Sequence, residues 1–280
     1  TMVGDSPSII LAMESNLNFN NFFYMPGYKL GTLLGKPGIF FFVEFGAICG
    51  FFILYLFFKN EKGKKSIVVE QHKILSVFPS FLLISTIIFL AISSFFQEKF
   101  SFFPAIICLI HGFIGIYWFF TKRREKIDIK DIDWESFFLL IGIFILVGSL
   151  KKTGIINDLA NWLIKRGKEP FNIYLMIVWI SVFVSAFVDN IPYTMVMISG
   201  VKIICENMGI NPYVFLFGLL IGTCVGGNIT PIGASCNVVG IGILRKNGYR
   251  VSFYEFIKIG LPFSIISVSI STFLLYFIYR

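Results

Sequence analysis

Charged residues are scarce in this chain of 280 residues. Only 14% are Asp, Glu, Lys or Arg, whereas 56% are hydrophobic, and the mean hydropathy is +0.81. A soluble globular domain carries about 25% charged residues. Several apolar stretches run almost without charge for about 20 residues, the length that crosses a bilayer core. The composition excludes a soluble domain and predicts an all-α protein that crosses a membrane several times.

Sequence signals for three other classes of protein are also missing. The five cysteines show no CxxC or CxxH spacing, which leaves only Cys224 and Cys236 as a soft-metal hypothesis. No GxxxxGK[ST] phosphate loop occurs, so the chain does not hydrolyse a nucleotide by that device. The net charge of +8 comes from Lys and Arg between apolar spans. Such residues are typical of membrane orientation signals and do not indicate nucleic-acid binding.

One short polar phrase occurs twice, and each time it interrupts an apolar segment. The first copy occupies residues 1–8 and the second occupies residues 230–237, with Thr, Gly and Ser in register and a Pro in each. Backbone groups at such breaks need partners from the protein or from a cavity, because lipid offers none. Paired breaks in two halves of a chain indicate the binding site of a secondary transporter.

The apolar pattern predicts an order of elements along the chain. Residues 1–14 form the second half of a broken helix, 15–73 contain the last span of a first repeat (38–58) and a cytoplasmic linker, and 74–280 form a second, inverted repeat. The second repeat contains spans at 75–96, 102–120, 135–150 and 256–279, an interfacial helix at 154–166, a re-entrant hairpin at 172–205 and a broken helix at 213–245. Because the chain opens inside the first polar phrase, we expect it to lack the first part of that repeat.

The segment 172–205 is too long for one simple span. A single helix would extend about 51 Å at 1.5 Å per residue, against a hydrocarbon core of about 30 Å, and Pro192 lies near its middle. If the chain turns back there, the basic loops 59–73, 121–134 and 245–258 share one side of the membrane, as the positive-inside rule favours. The two polar phrases then run antiparallel, as an inverted repeat requires.

The run Asp189-Asn190-Ile191-Pro192 and the run 226–239 carry a resemblance to a known family. They resemble the ion-transporter superfamily of arsenite-efflux permeases, NhaD-type sodium/proton antiporters and citrate or dicarboxylate carriers. The stretches 133–135, 144–148, 152–154 and 253–262 are similar as well. The resemblance implies inverted halves in which ion and substrate bind where a hairpin tip meets a broken-helix loop. It also implies a multi-pass plasma-membrane protein that contacts the lipid bilayer and forms a homodimer or works with an ATPase subunit in trans.

The same resemblance assigns ion- or substrate-binding roles to polar residues of the tip and the loop. These residues are Asp189, Asn190, Thr194, Asn228, Thr230, Gly233, Ser235 and Asn237. A partner site is expected at Thr1, Gly4, Asp5 and Ser8, where Ser8 stands in place of the Asn that relatives usually carry. Na⁺ is expected at Asn190, Asn228 and Asn237, and Asp189 is expected to exchange a proton or to bind a cation. The alternative for these side chains is a structural role in helix capping or backbone satisfaction.

The predicted function is secondary active transport of an inorganic ion, either cation/proton antiport or arsenite efflux. We expect no cofactor other than a coupling Na⁺ or H⁺. An Asp at the tip favours a cation or arsenite over a carboxylate, although a citrate or dicarboxylate carrier and a channel remain alternatives. An intramembrane aspartyl enzyme with Asp5 and Asp189 as its dyad is a further alternative, but neither residue lies in a Tyr-Asp or Gly-x-Gly-Asp context.

Overall fold

The computed structural model describes residues 5–24, 36–59, 76–93, 102–123, 134–246 and 248–279. Within these ranges the regular structure is helical, and strand-like pairing is limited to an isolated bridge between Tyr24 and Pro37. Three helices are long and apolar enough to cross a membrane, namely Ile39–Phe58, Phe103–Lys122 and Phe253–Tyr279. The prediction of an all-α, multi-pass membrane protein is confirmed.

The α-helices are numbered here in chain order. They are α1 (Ser6–Glu14), α2 (Ile39–Phe58), α3 (Phe78–Ser93), α4 (Phe103–Arg123), α5 (Trp134–Thr153), α6 (Ile155–Gly167), α7 (Pro170–Ser185), α8 (Asn190–Met208), α9 (Pro212–Gly226), α10 (Ser235–Lys246) and α11 (Phe253–Tyr279). The segment 172–205 is divided at residues 186–189, and the segment 213–245 is divided at residues 227–234. Most of the linker expected before residue 74 lies outside the described residues.

The chain divides into two compact units, of which the smaller contains Asn18–Asn20 and Glu61–Leu140. In this unit α3 and α4 pack side by side, with the rings of Phe78 and Trp118 stacked at 5.4 Å. His111 of α4 lies against Phe89 at 5.5 Å. Its Nδ1 atom lies 2.8 Å from the Ile107 carbonyl oxygen of the same helix. This local bond and the contact with Phe89 are consistent with a packing role for His111.

The larger unit contains Thr1–Leu17, Asn21–Asn60 and Ile141–Arg280, and its centre is the close contact between α7 and α9. Gly222 and Gly226 of α9 face α7: a Cβ on Gly222 would lie 2.6 Å from the Val178 carbonyl oxygen, and one on Gly226 would lie 2.7 Å from Val182 Cα. Small residues four positions apart let two membrane helices approach closely. The two helices therefore stay in close contact as far as their C-terminal ends, at Ser185 and Gly226.

The long helix α11 packs on α2 and on the end of α9. Ser271 Oγ of α11 donates a hydrogen bond of 2.9 Å to the Phe42 carbonyl of α2. Gly46 permits this approach, because a Cβ there would lie 2.6 Å from the Ser267 carbonyl oxygen. Ser264 Oγ donates a 3.0 Å hydrogen bond to the Val225 carbonyl. The end of α9 is thus fixed between α7 and α11.

The amphipathic helix expected at 154–166 is α6. Its buried residues, Ile156, Ala160, Leu163 and Gly167, face α7 and α8, whereas Trp162 is exposed. The apolar stripe of α6 therefore serves packing against two neighbouring helices. Its position at the membrane interface stays a prediction.

Candidate functional site

Four helix ends lie at two short breaks in the chain. The tip (residues 186–189) joins the end of α7 to the start of α8, and the loop (residues 227–234) joins the end of α9 to the start of α10. Helix C-terminal ends expose carbonyl oxygens with partial negative charge, and N-terminal ends expose N–H groups with partial positive charge. We call residues 185–190 and 227–237 together the junction.

Three backbone carbonyl oxygens converge at Gly233 in the loop. A Cβ on this glycine would lie 2.5 Å from Gly227 O and 2.9 Å from both Ser185 O and Ala186 O. These carbonyls belong to the C-terminal ends of α7 and α9. Any side chain at position 233 would separate them. Unwound carbonyls and half-helix C-terminal ends are the groups that coordinate alkali cations in transporters with broken helices.

Asp189 joins the N-terminal ends of two helices. It is the N-cap residue of α8, and its Oδ1 accepts a 3.0 Å hydrogen bond from the backbone N–H of Ile191. Its Oδ2 accepts a 2.9 Å hydrogen bond from Ser235 Oγ at the start of α10. An Asp side chain that accepts an N–H at an N-cap stabilises the helix end. Protonation or cation binding at this carboxylate would compete directly with the bond that connects α8 to α10.

Asn190 contacts both the end of α7 and the loop. Ser185 Oγ hydrogen-bonds the Asn190 side-chain amide oxygen and also donates to the Thr223 carbonyl oxygen at 2.6 Å. A hydroxyl has one proton, so Ser185 can donate to only one of these acceptors at a time. Asn190 Oδ1 would lie 3.0 Å from a Cβ on Gly227, which places the amide against the loop.

Thr230 and Asn237 hold the loop in place. Thr230 is buried, and its Oγ1 donates a hydrogen bond to the Ala186 carbonyl of the tip. Asn237 Nδ2 donates to Gly227 O at 2.9 Å and to Thr230 O at 3.1 Å. Of the predicted site residues, the structure therefore brings together Asp189, Asn190, Thr230, Gly233, Ser235 and Asn237.

The remaining predicted residues of this half lie elsewhere. Thr194, one helical turn after Asn190, is only 1% exposed, and its Oγ1 has no hydrogen-bond partner. Asn228 lines a separate cavity with residues of α11, because its backbone continues the end of α9 and packs directly against Gly260. The hydrogen bonds of Asn190 and Asn237 described above are made to Ser185, Gly227 and Thr230. The expectation that Asn190, Asn228 and Asn237 bind Na⁺ stays a prediction.

The first polar phrase forms a different environment. Asp5 is the N-cap residue of α1, but its side chain makes no capping bond, and its Oδ2 accepts a 2.9 Å hydrogen bond from the Cys224 thiol. Asp5, the buried Ser8 and Cys224 line a cavity of about 270 Å³ together with Glu44 and apolar residues of α2 and α9. We call it the first-motif cavity. Thr1 and Gly4 lie outside the described residues.

Sequence reasoning missed Ser185 and the carbonyls of Ala186 and Gly227. A backbone carbonyl has no side-chain signature, so the helix break itself was the available signal.

The Cys224–Cys236 pair is not formed, since Cys224 bonds Asp5, whereas Cys236 Sγ lies 3.7 Å from Asn237 Oδ1. Within the described ranges, no group of three or more His, Cys, Asp or Glu residues could hold a metal ion.

Comparison with known proteins gives a family and several relatives. The model of the citrate transporter family matches residues 1–210, which include the first polar phrase and the tip. An uncharacterized transporter of Mycobacterium tuberculosis is 27% identical over 279 residues, covering 97% of this chain and 62% of that protein. An uncharacterized transporter of Synechocystis is 25% identical over 287 residues, or 94% and 61% of the two chains. The P protein of Homo sapiens is 31% identical over 153 residues, or 52% and 18%.

The chain spans about six-tenths of the length of these bacterial relatives. The family and the bacterial relatives carry the names of transporters and not of enzymes, which confirms the resemblance to the ion-transporter superfamily. Because the family match covers well over half of the sequence, this chain belongs to the citrate transporter family.

Proposed function

We propose that this chain is part of a secondary active transporter that binds its coupling ion and its substrate at the junction. The observation that carries the proposal is the convergence of the Ser185, Ala186 and Gly227 carbonyl oxygens at Gly233. Negative helix ends and carbonyl oxygens can replace the hydration shell of a small cation. We expect Na⁺ or H⁺ as the coupling ion and no other cofactor.

The chemistry of the junction favours an inorganic substrate, moved by cation/proton antiport or by arsenite efflux. Its groups are carbonyls, amides, hydroxyls and the Asp189 carboxylate. Carbonyls and a carboxylate suit a cation, and amides and hydroxyls can hydrogen-bond neutral arsenous acid. No ion pair between described residues supplies Asp189 with a basic partner, so the carboxylate is available to a cation or a proton.

A citrate or dicarboxylate carrier is the second candidate, and the name of the family favours it. The N-terminal ends of α8 and α10 would suit a carboxylate substrate. However, Asp189 already accepts hydrogen bonds at both of these ends, and it would repel a second carboxylate. The alternative of an intramembrane aspartyl enzyme is not supported. Asp5 bonds Cys224 and Asp189 bonds Ser235, so the two carboxylates do not bond each other.

The lipid bilayer is the expected environment of the transporter. A homodimer and an ATPase subunit in trans are partners that we propose on the family resemblance alone. Energising by an ATPase would make transport depend on ATP, whereas secondary transport depends on an ion gradient, so the two are separable in vesicles.

The test is proton movement in inside-out vesicles that contain the full-length protein. Na⁺ or Li⁺ is added to a preformed pH gradient, and the wild type is compared with Asp189→Asn. We expect alkalinisation of the lumen in the wild type and at least a tenfold slower response in the variant, because the amide cannot take up a proton. Asp158→Asn is the matched control. It makes the same chemical change as Asp189→Asn, but Asp158 lies exposed in α6, away from the junction.

Two outcomes would contradict the cation/proton assignment. The first is the absence of a response in folded wild-type protein, and the second is an equal response in Asp189→Asn. Uptake of arsenite and of citrate into the same vesicles then distinguishes arsenite efflux from the carboxylate carrier.

A further inference from the structure

Two adjoining cavities lie at the connection between α10 and α11, and among the described residues Asn228 is the one junction residue that lines them. The first, of about 760 Å³, is mostly lined by polar residues, namely Arg245, Tyr249, Arg250, Ser252 and Glu255, with Gly248 and Val251. The second, of about 590 Å³, is lined mainly by apolar side chains, namely Leu54, Leu244, Phe256, Ile259 and Phe263, and it reaches Asn228. Both cavities share Arg250, Val251 and Glu255. The pair therefore forms one site with a polar part and an apolar part.

The polar part carries a net positive charge, because two arginines and one glutamate line it. Among the described residues, neither Arg245 nor Arg250 makes a hydrogen bond or an ion pair. The carboxylate of Glu255 is engaged at the start of α11, where its Oε2 accepts from the Ser252 N–H at 2.9 Å and from Ser252 Oγ at 2.8 Å. Ser252 Oγ also accepts from the Glu255 N–H at 3.2 Å, which completes a capping box. Glu255 thus stabilises the helix end and leaves both guanidinium groups unpaired.

The apolar part suits a hydrocarbon chain. Ile259 and Leu244 on its wall are 42% exposed, although both are large aliphatic residues. Aliphatic and aromatic side chains of this kind pack against an acyl chain through many small van der Waals contacts. Tyr249 and Tyr254, which are 63% and 76% exposed, lie at the same end of the molecule. Exposed tyrosines of this kind are typical of the interface between a membrane and water.

We propose that these two cavities bind an anionic phospholipid. The guanidinium groups of Arg245 and Arg250 bind the phosphate, since arginine matches phosphate oxygens with paired N–H donors, and one acyl chain lies along Leu244, Ile259 and Phe263. The lipid comes from the inner leaflet, because the basic loop 245–258 is expected on the cytoplasmic side, where anionic lipids collect. A free phosphate would use the first cavity alone, so the apolar cavity beside it selects a lipid.

The proposed lipid would also touch the loop that carries the junction. Asn228 lies at the far end of the apolar cavity, and its carbonyl packs on Gly260 of α11. An acyl chain in this cavity fills the space between α2, α10 and α11 behind the loop. Lipid occupancy should therefore stabilise the folded protein, whatever the transported substrate is.

The test uses purified, delipidated full-length protein in detergent. Thermal unfolding is measured with added dioleoyl-phosphatidylglycerol, and separately with dioleoyl-phosphatidylcholine, which has the same acyl chains and no net charge. We expect the anionic lipid to raise Tm by several degrees in a saturable manner, and the zwitterionic lipid to have little effect. The double variant Arg245→Gln, Arg250→Gln should bind the anionic lipid about thirtyfold more weakly, since each of the two basic residues near an anionic lipid contributes about 1 kcal/mol.

Two matched controls make the result specific. Lys165→Gln, Arg166→Gln removes two exposed charges from the end of α6 and should leave lipid binding unchanged. Leu244→Trp fills the apolar cavity without altering charge. It should weaken binding of the dioleoyl lipid but not of the dihexanoyl form, whose chains are too short to occupy the cavity.

Each of the remaining outcomes would overturn the proposal. An equal Tm shift with glycerol phosphate would mean a site for free anions. Equal shifts with the two dioleoyl lipids would mean that the arginines are not involved, and an equal loss in the α6 variant would mean general electrostatic attraction. Should the arginine variant fail to fold, the test rests on Leu244→Trp. If this variant shows the same Tm shift as the wild type with both the dioleoyl and the dihexanoyl lipid, the proposal is ruled out.

Discussion

Asp5 and Asp189 occupy the same position in two helices and make different contacts. Each is the N-cap residue of its helix, and each is followed by a proline near the helix start. Asp189 accepts a bond from its own helix and another from Ser235. Asp5 leaves its own helix end uncapped and accepts a bond from the Cys224 thiol beside a cavity. The helical position of an aspartate therefore does not determine its partners; the neighbouring helices do.

The surroundings of the two aspartates differ in the same way. The junction is closely packed, with carbonyl oxygens within 2.9 Å of the Cβ position of Gly233. The first-motif cavity has about 270 Å³ of open space, and the buried Ser8 lies on its wall. A closely packed site should respond strongly to small changes of volume or polarity, and an open one should respond weakly.

Added volume should give the largest difference between the two regions. Gly233→Ala puts a methyl group among three backbone carbonyls, none of which can move without shifting a helix end, and should cost about 1–3 kcal/mol of stability. Ser8→Thr adds a methyl group beside open space and should change stability by less than about 0.5 kcal/mol. Thermal unfolding in detergent measures both. Gly240→Ala in α10 is the control, since nothing lies within 4 Å of its Cβ position, and equal losses at 233 and 240 would show that the carbonyls do not crowd the site.

Loss of a hydroxyl should give the next largest difference. Thr230→Val removes the donor to the Ala186 carbonyl and leaves that carbonyl unpaired in a buried place, at a cost of about 1–3 kcal/mol. Ser8→Ala removes a hydroxyl on the wall of an open cavity and should cost much less. The same unfolding measurement ranks the two variants, and a greater loss for Ser8→Ala would reverse the assignment of the closely packed site.

Removal of either carboxylate should also lower stability by different amounts in the two regions. Asp189→Ala removes an N-cap bond, which is worth about 0.5–2 kcal/mol, and also the bond to Ser235. Asp5→Ala removes no capping bond and should cost less. Circular dichroism during thermal unfolding gives the two midpoints, and the comparison fails if Asp5→Ala lowers the midpoint more than Asp189→Ala does.

The smallest effect on stability is expected at Thr194. Its buried hydroxyl has no partner, and the isosteric change Thr194→Val should leave stability unchanged or raise it slightly, because burial of an unpaired hydroxyl is unfavourable. Transport in vesicles then decides its role. A loss of transport with unchanged stability would assign the hydroxyl to an ion or substrate, and unchanged transport would remove Thr194 from the site.

Part of this arrangement follows from the sequence. Pro192 and the glycines between 222 and 233 indicate interrupted helices, since proline and glycine disfavour helix interiors, and α8 and α10 begin beside those residues. The contacts between the breaks do not follow. The Cys224–Asp5 bond joins residues far apart in the chain, and the carbonyls of Ser185, Ala186 and Gly227 carry no residue-specific signal. The position of Asn228 in the polar run likewise gave no sign that its carbonyl packs against Gly260.

Lys202 connects the C-terminal half of α8 to the end of α1. Its ammonium group donates a hydrogen bond to the Glu14 carbonyl at the end of α1, while the first residue of α8 lies in the junction. A helix transmits a rotation along its length, since its backbone is held by continuous hydrogen bonds. Any swing of α8 that opens the junction must therefore carry the end of α1 along or break the Lys202 bond. Asp5 and Asp189, at the opposite ends of α1 and α8, are therefore linked through the two helices while that bond is intact.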